Sequence, residues 1–353
     1  MRQRKYALGI KAIGIVKTVG ILLLLLFVIG CGLDKAKTSD PQSSKTVKTF
    51  IDGTGKEVKI SCPVDKIVCI TSGVSEILYA LDGAHKIIGR DSYSIFPPAL
   101  EKIPVMAKSS FAPNLEAIIQ SAPDVVIADS MLKDDFRTKL EEAGIPVLVY
   151  TTSYPHETAL VTRQMGELVG KEDLAARLVA FSDRYYQLIK DKVSTVPENR
   201  KPRVYYEWQK PYYSAGDKTP AADRIALAGG INIAAGQKVK YPELTPEWLA
   251  EQDPQVIICM ASRDAADKMK TLYEEIMNRP ALKQTSAVRQ KRVYIMSWGL
   301  GTGIRSVIGS LYWAKWFHPD LFTDLDPEAV HRQLLQEFYH MDLQGIWVYP
   351  EDK

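Results

Sequence analysis

Between Glu172 and Val193 the chain runs without a glycine or proline, and Leu174, Leu178, Phe181, Tyr185 and Leu188 recur at spacings of 4, 3, 4 and 3. That periodicity is one face of a helix. Glu172 and Asp173 open it, Lys190 and Lys192 close it, and Pro197 lies beyond, as the helix dipole and stop signals favour. A helix of this length is a rod of about 33 Å, long enough to join two lobes and stiff enough to resist large hinge bending. What lies on either side of it is therefore expected to be two separate lobes.

Both sides alternate short β-rich runs with helical stretches, which implies mostly parallel sheets covered by helices. Before the rod, Lys66–Ile70, Lys86–Gly89, Asp124–Ala128 and Pro146–Tyr150 read as strands, with helices near 74–82, 113–121 and 133–143. After it, Arg203–Tyr206, Gln255–Cys259 and Arg292–Met296 read as strands. Helices there fall near 220–229, 246–252, 264–278, 304–316 and 327–340. Val47–Ile51, the turn Asp52-Gly53-Thr54-Gly55 and Glu57–Ile60 read as a peripheral hairpin. The halves also share a repeat. Asn114-Leu115-Glu116 precedes Pro123-Asp-Val-Val-Ile-Ala by the same interval that separates Thr245-Pro246-Glu247 from Pro254-Gln-Val-Ile-Ile-Cys. The same order of helix start, helix, proline and apolar strand in both halves points to duplication. The expected fold is thus α/β, two Rossmann-like lobes over 56–168 and 197–353 joined by a helix within 169–196, with a cleft between them.

The amino terminus sets the compartment. Five basic residues (Arg2, Arg4, Lys5, Lys11, Lys17) and no acid precede or flank the apolar run Ile21–Ile29, which ends at Gly30-Cys31. This is the order of an export signal over residues 1–30. Its apolar core is short of the roughly 20 residues a membrane span needs. The formal charge of the whole chain is +3, and removing those five cations leaves −2, so nucleic acid is not an expected partner. Val28-Ile29-Gly30-Cys31 resembles the bacterial lipobox, which makes Cys31 the lipidation site. The polar stretch beginning at Cys31 reads as a tether reaching to residue 55 and the start of the hairpin. Cys62, Cys69 and Cys259 remain, an odd set that builds no disulfide framework, and Cys69 and Cys259 sit within apolar strand patterns as small buried hydrophobes.

Asp65-Lys66-Ile67-Val68, the helix Gly73-Val74-Ser75-Glu76-Ile77-Leu78-Tyr79-Ala80-Leu81, Asn114-Leu115-Glu116 with Pro123-Asp124-Val125-Val126-Ile127, and the inter-lobe helix occur in a specific order. In that order they resemble the class III solute-binding proteins of ABC importers, which carry iron-siderophores, haem or cobalamin. The resemblance covers nearly all of residues 56–350. It implies an extracytoplasmic, lipid-anchored, monomeric binding protein with no catalysis and no intrinsic cofactor. It further implies a metal chelate of iron or cobalt bound in a shallow cleft between lobes that move little, and delivery to a permease and its ATPase. In that family one glutamate per lobe docks into the permease, and Glu116 and Glu247 match those positions.

Ligands of open α/β sheets gather beyond the carboxyl ends of the strands. That rule selects Ser72, Tyr93, Asp129, Ser130 and Met131 in the first lobe, with Lys108 and Ser109 on a neighbouring loop, and Trp208, Met260, Arg263 and Trp298 in the second. Tyr212 joins them from the aromatic run Tyr205, Tyr206, Trp208, Tyr212, Tyr213, because large flat side chains suit a bulky, partly apolar ligand. The glycine-rich turn Trp298–Arg305 joins a strand to a helix, so its amides and Arg305 are expected to meet carboxylate, catecholate or phosphate groups of a bound chelate. None of His85, His156, His318, His331 and His340 falls at a strand end. His-ligated haem and a bare metal site are therefore disfavoured, while Tyr212, Met131 and Met260 remain available as ligands. Two other classes compete. An exported α/β hydrolase calls for a Gly-x-Ser-x-Gly or His-Glu-x-x-His motif, which the sequence lacks. A sensory or structural lipoprotein calls for no pocket.

Overall fold

The computed structural model describes residues 45–262 and 266–351. The signal segment, Cys31, most of the tether and Arg263 lie outside the described residues. Among the described residues no helix is long and apolar enough to cross a membrane.

The chain opens with an antiparallel hairpin, β1 (Thr46–Ile51) and β2 (Glu57–Cys62). The first lobe follows, with strands β3 (Ile67–Cys69), β4 (Ile87–Asp91), β5 (Val105–Ala107), β6 (Val125–Ala128) and β7 (Val147–Val149) in the all-parallel order β5-β4-β3-β6-β7. Its helices are α1 (Ser72–Ala80), α2 (Leu115–Ser121), α3 (Asp134–Glu142) and α4 (Pro155–Val169). Gly170 turns the chain in the left-handed conformation into α5 (Glu172–Val193).

The second lobe has β8 (Arg203–Trp208), β9 (Ile231–Asn232), β10 (Val256–Ala261), β11 (Val293–Ser297) and β12 (Val348–Tyr349), in the order β12-β11-β10-β8-β9. Only β12 runs antiparallel. Its helices are α6 (Pro220–Leu227), α7 (Pro246–Gln252), α8 (Met269–Asn278), α9 (Ser286–Arg289), α10 (Ser306–Phe317) and α11 (Pro327–Leu334).

In each lobe the first strand (β3 or β8) lies inside the sheet, later strands go first to one side of it and then to the other, and the order reverses beside it, at β3/β6 and β8/β10. Every residue of β6 and of β10 is buried, as strands covered on both faces require. The repeat seen in the sequence occupies equivalent places. Asn114 Oδ1 accepts from Ala117 N at 3.2 Å and Thr245 Oγ1 from Trp248 N at 3.3 Å, capping α2 and α7. Both helices end on a left-handed residue, Ala122 and Asp253, one position before the proline that leads into the strand.

Three expectations change. The hairpin is not peripheral: Phe50 is buried, and the Asp52 carboxylate is held by Arg137 Nη2 at 2.8 Å and by the amides of Thr54 and Lys56. It is therefore riveted to α3. The rod buries more than one stripe, since α5 packs on α4, α10 and α6. Its buried face is accordingly wider than the stripe read from sequence, adding Ala175, Val179, Ser182, Tyr186 and Ile189 while Leu174 and Leu188 stay half-buried. The last helix stops at Leu334 and continues as a π-turn, Leu335–Tyr339, before the chain crosses to make β12.

The largest apolar core draws on both lobes, from Val74, Ile77 and Leu78 of α1 to Ile304, Ile308 and Trp313 at α10. Smaller cores fill the outer face of each sheet.

Candidate functional site

The carboxyl ends of the two sheets converge on one cavity of about 1440 Å³. Both points of strand-order reversal open into it, through Ile70–Gly73 and Asp129–Met131 on one side and Glu207–Pro211 and Cys259–Ser262 on the other.

The first-lobe wall is polar. Asp91 ends β4 and accepts from Tyr93 N (2.5 Å), Ser94 N (2.9 Å) and Ser94 Oγ (3.0 Å). Asp129 follows β6 and accepts from Met131 N at 2.9 Å. Burial raises both carboxyl pKa values above the ordinary aspartate value, against the pull of those hydrogen bonds. At the mouth Tyr93 (56 % exposed) and Met131 (51 %) present apolar surface to solvent.

The second-lobe wall is aromatic. Trp208, at the end of β8, stacks on Trp298 after β11 with centroids 5.3 Å apart and planes 15° from parallel, and Tyr213 and Tyr241 extend the stack. The Trp208 Nε1 is buried and has no hydrogen-bond partner among the described residues. The loop that carries Trp208 is held by Glu207. Its carboxylate accepts from Tyr205 Oη (2.6 Å), Tyr212 N (2.8 Å) and both terminal nitrogens of Arg279 (2.6 and 3.1 Å). This pays for two non-glycine residues at positive φ, Gln209 and Tyr212.

At the back of the cavity the lobes touch directly. Gly303 N donates to Thr152 O at 2.8 Å across the lobes, and within the second lobe Arg224 Nη2 donates to Gly301 O at 2.6 Å and holds that turn in place. Gly73 is pressed within the first lobe against Thr152, whose side chain a Cβ there would strike, and a Cβ on Gly303 of the second lobe would lie 3.4 Å from Gly73 Cα. Arg305 bridges the lobes, with Nε and Nη2 2.8 and 3.0 Å from the Glu76 carboxylate and its guanidinium between the rings of Phe96 and Trp347.

Residues 67–297, more than half of the chain, match the model of the family described as periplasmic binding protein. The chain belongs to the periplasmic binding protein family. A cobalamin-binding protein of Halobacterium salinarum is 26 % identical over 220 residues, 61 % of this chain and 59 % of that one, so the match spans about three-fifths of the relative's length. An uncharacterised ABC transporter substrate-binding lipoprotein of Bacillus subtilis is 25 % identical over 86 % of this chain and 97 % of its own. Among solved structures, the molybdate-bound periplasmic binding protein of Haemophilus influenzae superposes with a TM-score of 0.74 at 19 % identity. That superposition covers 84 % of this chain and 99 % of that one. The family and these relatives are named as binding proteins, not enzymes.

In this periplasmic binding protein, Ser72, Tyr93, Ser109, Asp129, Ser130, Met131, Trp208, Met260 and Trp298 line the cavity. Three residues singled out in the sequence do not. Lys108 is exposed outside the lining, its carbonyl accepting from Ser92 Oγ. Tyr212 lies against Arg279, whose guanidinium sits 4.9 Å above its ring, and is drawn into the wall through its amide bond to Glu207. Arg305 meets no anion in the cleft: it is 0 % exposed and occupied by Glu76. Arg263 lies outside the described residues.

The cavity also uses Thr151, Thr152 and Ser153, which the strand-end rule yields once it is extended to β7, and Asp91, which it already reaches after β4. Lys268, Thr271 and Glu275 enter from the start of α8, and their spacing of three and four residues is the only signal the sequence holds for them.

Glu116 and Glu247 are both exposed, in the first turns of α2 and α7. Each helix returns between parallel strands, so its first turn lies at the strand carboxyl ends, where the cavity opens.

Proposed function

We propose that this chain is an extracytoplasmic, lipid-anchored receptor that captures a metal chelate, a cobalt corrinoid or an iron complex, and presents it to the permease and ATPase of an ABC importer. The observation that carries this reading is the wall formed by Trp208 stacked on Trp298 in a cavity of about 1440 Å³. Such a cavity is at or above the upper end of small-molecule sites, and it offers a bare ion or small oxyanion far more room than it fills. A broad, partly apolar complex covers the stacked indoles and reaches the hydroxyl-lined opposite wall. The relative named as a cobalamin-binding protein supports such a cargo, the relative named as a substrate-binding lipoprotein supports a lipid anchor, and Cys31 is the residue that would carry it. Glu116 and Glu247, one per lobe on the cavity-opening side, serve as the permease contacts.

The test is titration of the purified protein with cyanocobalamin, ferrioxamine B, ferric enterobactin and haemin, followed by tryptophan fluorescence and calorimetry. At least one complex is expected to bind at one equivalent with micromolar or tighter affinity, unchanged after recovery, and Trp208→Ala is expected to weaken it at least tenfold. Binding by none of the four, or chemical turnover of one, would sink the reading.

A further inference from the structure

Among the described residues the arginines nearest the cavity are turned away from it, and the basic side chains that line it are Lys210 and Lys268. Arg90 ends its donors on the carbonyls of Ile103, Asp91 and Glu101 (3.0, 2.9 and 3.1 Å). Arg279 is spent on Glu207 and Arg305 on Glu76. What remains on the first-lobe wall, among the described residues, is two carboxylates, Asp91 and Asp129, with serine and threonine hydroxyls and no lysine, arginine or histidine.

The second-lobe wall does not restore the balance. Lys210 reaches Glu243 at 2.6 Å, and Lys268 shares the face of α8 with Glu275. A polyanionic ligand calls for bidentate arginines. Here every arginine beside the cavity, among the described residues, faces the protein.

Resting on the reading of the cavity as a chelate site, we infer that its cargo carries no net negative charge and is recognised on the first-lobe side through neutral amide and hydroxyl groups. Hydroxyls that both donate and accept, beside carboxylates that accept, match the N–H and C=O groups of amide arms. A neutral or cationic complex meets Asp91 and Asp129 without repulsion. A tris-catecholate or a haem carrying two propionates places like charge against them in a partly desolvated site, where the interaction is strong.

The same four complexes separate the outcomes. Cyanocobalamin or ferrioxamine B, neutral or cationic, is expected to bind at least tenfold more tightly than both ferric enterobactin and haemin. An Asp91→Asn/Asp129→Asn variant, shown by its melting curve to be folded, is expected to narrow that gap by improving the anionic ligands. A tenfold preference that is absent or reversed overturns the inference and leaves the chelate reading standing. A gap unchanged in the folded double variant overturns the role of the two aspartates. Binding of none of the four removes the chelate reading itself, and this inference with it.

Discussion

Arg305 carries the largest correction at the scale of single residues. From sequence it stood at the end of a glycine-rich turn and invited a ligand anion. Its partner Glu76 lies 229 positions away on α1, a pairing no local pattern discloses. The two charges are fully withdrawn from water, so each depends on the other. Breaking such a pair from one side typically costs about 3–5 kcal/mol, whereas replacing both partners with apolar residues costs far less. Arg305→Met is therefore expected to lower the unfolding free energy in urea by about that amount, and the Glu76→Met/Arg305→Met double variant to recover a large part of it. Equal losses in single and double variants would show that packing against Phe96 and Trp347, not charge, sets the cost. Trp208 and Trp298, by contrast, were legible because each directly follows a run of strand-forming residues. Tyr212 misled because its backbone amide, not its ring, does the work at the wall.

Elements were legible in proportion to their length and burial. The strands β3, β6 and β10 announce themselves as continuous apolar runs, β8 by its β-branched and aromatic core Val204–Tyr206, and α5 by its period. Three-residue β5 and two-residue β9 and β12 carry no periodic signal, and only pairing with a neighbour makes them strands. The carboxyl-terminal segment is more informative. His331 on α11 is buried beside Trp347, its Nε2 is without a partner among the described residues, and burial together with nearby Arg305 holds its pKa well below the ordinary histidine value. The folded state thus keeps this ring neutral where the unfolded chain protonates it. Its contribution to stability is complete above the unfolded pKa of about 6.5 and is lost as pH falls below it, by up to about 1.4 kcal/mol per pH unit. Denaturant midpoints measured between pH 7.5 and 5 are expected to fall less in His331→Leu than in the parent chain. Parallel slopes would show that the ring protonates in place.

On the scale of the whole molecule, two sheets of similar order face one another across the cavity, and each lobe offers an exposed acid in the first turn of a helix, Glu116 of α2 and Glu247 of α7. Their separation is fixed by contacts that include the Arg305–Glu76 bridge, the Gly303–Thr152 bond and α5. Two-point docking gains from such fixed spacing, because the second contact forms at high effective concentration. Glu116→Ala/Glu247→Ala is expected to lose retention by the cognate permease in detergent while binding the chelate as before. Each single variant is expected to fall between, and full retention by the double variant would place the docking surface elsewhere. The duplicated plan was visible in the repeat around Pro123 and Pro254, but the tie between the copies was not, since it is made by side chains from opposite ends of the chain.

That tie makes the halves interdependent. The principal core takes side chains from both copies, so a chain cut after α5 would leave each fragment with a raw hydrophobic wound where its twin had been. A substitution in that shared interior is therefore felt by both halves at once, whereas one at the rim of the cavity leaves the body beneath undisturbed.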